Sequence, residues 1–404
     1  MPIEIIGMVA TRDASEIQGP LVDGPVADWT DGPVIDPGYL EAISLAHEEA
    51  GFDRVLVGYG SVAPDGWAIA ATVLSSTTRL KVLVAHRPGV VQPLILARHA
   101  ATLDQLSGGG RIAIHFITGG DEADQHREGD FVDHDVRYRR TGETMDIVRR
   151  LLKDPEPFDF TGEFFRYEGA FISVKPAFEG AIPLYFGGAS APAIEVGAQH
   201  ADLYAFWGEP LGAVASRMAI IDSATQRLGR QMRYSVSIRP IIAETEEEAW
   251  AKAELYADVA TERIRRAKER LNSNDPHSTG LGSRGHTTYA TRRDTQLTSS
   301  EGRKRLIEMS NSQDVFDERL WMKIANLTGA AGNSTALVGT PEQVAESLLR
   351  YYDLGVTAFI LKGFDPLNDV VDFGKRLLPR VRDGVRKRDK LRGGTAHNGE
   401  NATS

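Results

Sequence analysis

Residues 81–118, KVLVAHRPGVVQPLILARHAATLDQLSGGGRIAIHFIT, decide the fold. An apolar run, Lys81–His86, breaks at Arg87-Pro88-Gly89. A helical stretch, Gln92–Leu106, follows, and then a second apolar run, Arg111–Thr118. The runs are continuous rather than alternating, which is the pattern of strands buried on both faces. Working outward, the same unit recurs. Further runs lie at Ile3–Val9, Arg54–Tyr59, Leu184–Phe186, Leu203–Phe206, Tyr234–Ala243 and Ala358–Leu361. Helical stretches include Gly38–Ala50, Tyr138–Leu152, Ala191–Gln199, Pro210–Leu228 and Glu246–Asn272. Eight strand–helix alternations predict an α/β fold, a closed (β/α)8 TIM barrel, over residues 1–386 as a single domain. An open doubly wound sheet is the alternative, but no Gly-rich dinucleotide fingerprint follows the first strand.

The spacing is uneven. Residues 13–36 are rich in Gly, Pro and Asp and read as a long first loop. Residues 153–183 read as a short hairpin ahead of the fifth strand. The polar stretch 272–300 falls between strands seven and eight, where a lid over the barrel mouth belongs. These are expected as insertions at the C-terminal face. The polar tail 387–404 is expected to be disordered.

Composition removes several function classes. The net charge of −10 argues against a nucleic-acid partner. With no cysteine, disulfides, thiolate metal sites and cysteine nucleophiles are excluded. The ten histidines form no recognisable metal spacing, so no metal is expected. No apolar run approaches membrane-spanning length and the N-terminus does not read as a signal peptide, so a cytoplasmic address away from membranes is expected.

Barrels of this kind place their chemistry at the C-terminal ends of the strands. That rule selects Ala85, His86 and Arg87, then His115 and Thr118, Gly187, Gly188 and Ser190, Trp207 and Glu209, Arg239, Lys362 and Phe364. The strongest local signal is Leu184–Glu195, LYFGGASAPAIE. A strand runs into two glycines, small and hydroxyl residues, and a helix start. It reads either as a phosphate cradle or as a tight turn with an N-cap serine. In Phe131–Tyr138, His134 and Tyr138 are four apart on one helix face, donors for a phosphate or capping furniture. Arg87 pairs with a phosphate or a structural carboxylate, and His115 is a catalyst or a hydrogen-bonded core residue.

The stretches Leu80–Gly89, Ala97–Ser107, His115–Asp121, Asp133–Tyr138, Pro183–Ser190, Asp202–Pro210 and Thr335–Thr340 together resemble the bacterial luciferase-like flavin monooxygenases, and within them the alkanesulfonate monooxygenase branch. The resemblance spans about residues 3–382. It implies reduced FMN from a separate NAD(P)H:FMN reductase, O2 as co-substrate, a small organic substrate, and a homodimer or homotetramer. Carried over by motif, Gly187, Gly188, Ala189 and Ser190 hold the FMN phosphate. His134 and Tyr138 contact the phosphate or ribityl chain, and Thr118 and His115 line the flavin. Ala85 presses on the ring, next to an expected cis peptide near Val84–Ala85. Such chemistry needs a dry, lidded mouth.

The sulfonate half of the pattern departs. Its strand-seven positions read Ser237 and Arg239, Leu327–Ser334 holds no arginine, and Phe364 stands after strand eight. Arg12 and Ala63 replace a histidine and a cysteine of the pattern. Arg239, His115 and Arg12 are the catalytic candidates, the two arginines as forked donors to an anionic or organosulfur substrate or as structural ion pairs. Trp207, Ser237, Phe364 and Arg284 are the substrate and lid candidates. A deazaflavin-dependent oxidoreductase or a non-catalytic flavin binder on the same barrel are the competing readings.

Overall fold

Every strand expected from the sequence forms. The computed structural model describes residues 2–12, 35–120, 122–177, 182–272, 300–330 and 334–399. Along the chain the strands are β1 (Glu4–Met8), β2 (Arg54–Val57), β3 (Lys81–His86), β4 (Ile112–Ile117), β5 (Phe158–Thr161), β6 (Arg166–Ala170), β7 (Leu184–Gly187), β8 (Leu203–Trp207), β9 (Arg233–Ile242), β10 (Val315–Phe316), β11 (Leu320–Trp321), β12 (Ala336–Gly339) and β13 (Ala358–Leu361). Eight of them close a parallel barrel in the order β1-β2-β3-β4-β7-β8-β9-β13, with β13 returning to β1. Helices flank it, as the right-handed βαβ crossover requires.

Alternation along each strand separates two cores. Ile5, Val82, Val84, Ile112, Ile114, Leu184 and Phe186 point outward under the helices. Ile6, Leu83, Ala113, Tyr185, Leu203, Ala358 and Ile360 fill the barrel. Both faces are dry, which is why the strands read as continuous apolar runs. Helix starts are fixed by side-chain caps: Asp36, Ser190 and Asp365 each accept an amide of the first turn, and Thr340 with Gln343 forms a capping box.

Three features depart from the sequence reading or refine it. First, β9 outruns the barrel. Its upper half, Arg239–Ile242, pairs in parallel with β12, which pairs antiparallel with β11, itself antiparallel to β10. The run Ala336–Gly339 is not among the strands read from the sequence. Second, the expected hairpin forms from β5 and β6. It follows a helix rather than a strand and lies along the outside, where Glu143 accepts the amides of Glu163, Phe164 and Phe165. Third, the tail expected to be disordered from 387 is helical: Leu378–Gly399 is one continuous helix. Arg388 pairs with Glu346 and Asp353, Arg392 pairs with Asp353, and Asp389 accepts from Tyr352. The charges that make the tail look solvated are partners for the helix Pro341–Leu354. Of the other insertions, residues 13–34 and 273–299 lie outside the described residues.

Candidate functional site

At the C-terminal end of the barrel lies a cavity of about 350 Å³. Met8, Leu56, Ile117, Ala205 and Ile360, from five different strands, give it an apolar floor and wall. The polar side is concentrated. His115, Thr118, His134, Tyr138, Gly187, Gly188, Ala189 and Ser190 all line it. These are the residues selected in sequence for a phosphate-bearing ligand, with Ala85 as the exception. Ala85 pairs in register with His115 and is buried, but it does not line the cavity. The peptide at Val84–Ala85 is trans, not cis as expected, and no cis peptide occurs among the described residues.

The turn after β7 is shaped by a helix start. Ser190 caps the helix Ala191–His200, accepting the amide of Ala193 at 3.4 Å. The helix N-terminus leaves backbone amides and partial positive charge facing the cavity. Gly188 is required by space: a Cβ there would sit 2.5 Å from the Ala193 Cβ and 3.1 Å from the Tyr138 hydroxyl. Tyr138 hydrogen-bonds Ser190. Burial raises its pKa, with Ser190 acting in the opposite direction, so it stays protonated and able to donate at neutral pH. His134 stands edge-on to Tyr138, ring centroids 5.0 Å apart, and its Nδ1 is 2.8 Å from Asp135. One helix face therefore presents both side chains, as the four-residue spacing predicted.

His115 faces into the barrel. Burial lowers its pKa to about 4, against a backbone hydrogen bond to Tyr185 that works the other way. The ring is neutral at physiological pH, and its Nδ1 has no partner among the described residues. Thr118 lies 3.1 Å, oxygen to oxygen, from Thr141, whose own proton goes to the Arg137 carbonyl, so Thr118 is the donor.

The mouth is closed partly by the helix Glu301–Ser312, whose N-cap Ser300 and first residues Glu301 and Gly302 line the cavity. Gly302 packs on Trp207, close enough that a Cβ would lie 3.6 Å from the indole. Gly120 meets Ser300 so closely that any side chain there would collide with it. Ser237 lines the wall beside Trp207, its partner in register.

The expected anion-binding arginines do not reach this wall. Arg239 is buried one layer above Ser237. It donates to the Gly363 carbonyl at 2.8 Å and lies 4.6 Å from the Phe364 ring. Phe364 is fully buried against Tyr256 in the separate cluster between β12 and the helix Glu246–Asn272. Arg12 is half-buried and also off the wall. Arg87 takes the structural alternative: it pairs with Asp124 and with Glu128 at 2.5 Å, under the Tyr59 ring. Arg284 lies outside the described residues.

The sequence reading passed over Arg217. It lies on the helix Leu211–Arg227 and lines the cavity. It donates to the Gly188 carbonyl at 2.7 Å and to Glu209 at 3.0 Å. Its position two turns into the helix after β8 is a signal only once that helix is known to flank the glycine turn. Met8, Leu56 and Ile360 were within reach of the strand-end rule but were not singled out by it.

The sequence profile of the luciferase-like monooxygenases matches residues 17–358. Among solved structures, riboflavin lyase with modified FMN and riboflavin superposes with a TM-score of 0.69 at 20% identity, covering 95% of this chain and 92% of that one. EDTA monooxygenase from Chelativorans sp. BNC1 gives 0.69 at 17% identity, covering 95% and 94%. An F420-dependent secondary alcohol dehydrogenase gives 0.61 at 17%, covering 94% and 99%. These likenesses are of fold.

Proposed function

The chain belongs to the luciferase-like monooxygenase family, and from that premise we propose that it uses reduced FMN and O2 to oxygenate a small organic substrate. The observation that carries this reading is the turn Gly187–Ser190, where a helix N-terminus, the Ser190 and Tyr138 hydroxyls and His134 converge on one end of a cavity whose floor is apolar. Those donors fit a phosphate ester, and the unpartnered Nδ1 of His115 fits a ring with hydrogen-bonding edges. Reduced FMN supplies the two electrons that activate O2, and a separate NAD(P)H:FMN reductase delivers it.

The chain's own residues do the rest. Backbone amides and Ser190 fix the anionic tail, and Tyr138 donates to it as a protonated phenol. His115, neutral above about pH 4, offers a hydrogen bond rather than a positive charge to whatever lies beside it. Met8, Leu56, Ile117, Phe206 and Ile360 keep water away from the reacting atoms, and the helix Glu301–Ser312 covers Trp207 at the mouth.

The test supplies enzymatically reduced FMN and 18O2 with panels of organosulfur compounds, amines and ketones. The expected outcome is substrate-dependent NADH consumption and one 18O atom in the product. Hydride transfer with a deazaflavin and no label in any product would replace this reading with an oxidoreductase on the same barrel.

A further inference from the structure

A phosphate ester at neutral pH carries more than one negative charge, and this chain carries a net charge of −10. Amides and hydroxyls alone leave that charge without a counter-ion. The residues around the glycine turn provide one. Glu209 is fully buried and is shared by two arginines, Arg217 at 3.0 Å and Arg305. Arg305 also feels the carboxylate of Glu308, so the surplus positive charge of the cluster rests on Arg217, which shares Glu209 alone. Arg217 is the member on the cavity wall. It lies 4.8 Å from the Phe206 ring, and one nitrogen bonds the carbonyl of Gly188 itself. Only part of its five-donor fork is used by Gly188 and Glu209. Its charge is felt at the Tyr138 hydroxyl, on the opposite side of the turn.

We propose that Arg217 is the cation that recognises the phosphate of the bound flavin nucleotide, and that Glu209, tied from the other side by Arg305, is the residue that positions it. Arg305 belongs to the helix Glu301–Ser312, whose first turn lines the mouth. The cluster therefore joins the phosphate end of the cavity to its cover. This assignment rests on the flavin-phosphate reading of the turn.

The experiment compares FMN with riboflavin, which differ by the phosphate alone, in direct binding titrations by flavin fluorescence on the full chain. The wild type is expected to prefer FMN. Arg217→Gln is expected to weaken FMN by about tenfold or more, the scale of one hydrogen bond to a charged group, and to leave riboflavin within a few-fold. Arg217→Lys keeps the charge but loses the fork and is expected to recover part of the preference. A purely structural role would weaken both flavins alike, and that result, or an unchanged FMN preference in Arg217→Gln, overturns the assignment while leaving the flavin reading intact. A wild type that binds riboflavin as tightly as FMN overturns both. Thermal unfolding of each variant confirms that the binding was measured on folded protein. If Arg217→Gln does not fold, the comparison of Arg217→Lys with the wild type carries the test: an undiminished FMN-to-riboflavin ratio there counts against the forked contact.

Discussion

At the residue scale the site depends on what each position can tolerate. Gly188 is the clearest case. Replacing it with alanine pushes a methyl group into Ala193 and the Tyr138 hydroxyl, so the turn must open. Gly188→Ala is expected to cost about 1–3 kcal/mol of stability and to weaken FMN binding by an order of magnitude, checked by urea unfolding and flavin titration. Glu209 is a second case. Glu209→Gln leaves Arg217 and Arg305 half-buried without their shared carboxylate. About 3 kcal/mol of destabilisation is expected, and an unchanged urea midpoint would show that water takes over the role. Individual site residues were legible in sequence where the chemistry is local. Gly187, Gly188 and Ser190 follow one another on a strand-to-helix turn, and His134 and Tyr138 sit one helical turn apart. Glu209 was selected at a strand end but without a role, and Arg217 was passed over, because their roles come from meeting Gly188 and Arg305 across long stretches of chain. Arg239 misled for the same reason: a strand-end arginine looks functional until its carbonyl and aromatic partners are seen.

At the element scale, helices and barrel strands follow periodicity, and the surprises come where an element is short or polar. The strand β12 lies outside the barrel's eight, and it pairs with the overhang of β9, which offers it a free edge. The C-terminal helix looks solvated in sequence because its charges are dense. It is held by pairs between Arg388, Arg392 and the residues Glu346 and Asp353. Such surface pairs contribute up to about 1 kcal/mol each. Truncation after Lys387 is therefore expected to leave the barrel folded, to lower the thermal midpoint by a few degrees, and to leave FMN affinity untouched. A chain that fails to fold after this truncation would show that the helix is part of the barrel's core.

At the scale of the whole molecule, pH acts through buried histidines. His47, His86 and His115 are pushed by burial down to about 4, 3 and 4, against about 6.5 in an unfolded chain. Between those values the unfolded chain binds more protons than the folded one, so stability rises with pH across this window and is lost as pH falls through it. The urea midpoint is expected to decline steadily from pH 6.5 toward 4, ahead of the range where carboxylates titrate. A flat profile between pH 6.5 and 5 would contradict it, and His47→Gln is expected to make the decline shallower. No helix among the described residues is long and apolar enough to cross a membrane.

By itself, the amino-acid order determined the barrel, its eight strands, the outer hairpin and the glycine turn, because periodicity and turn chemistry act between residues a few positions apart. The closed tertiary structure alone decided which charges meet. It set Arg217 and Arg305 on one buried carboxylate, turned Arg239 and Phe364 into packing, and docked the tail. Coulombic and packing partners are chosen by distance in space, and the strand–helix pattern carries no record of it.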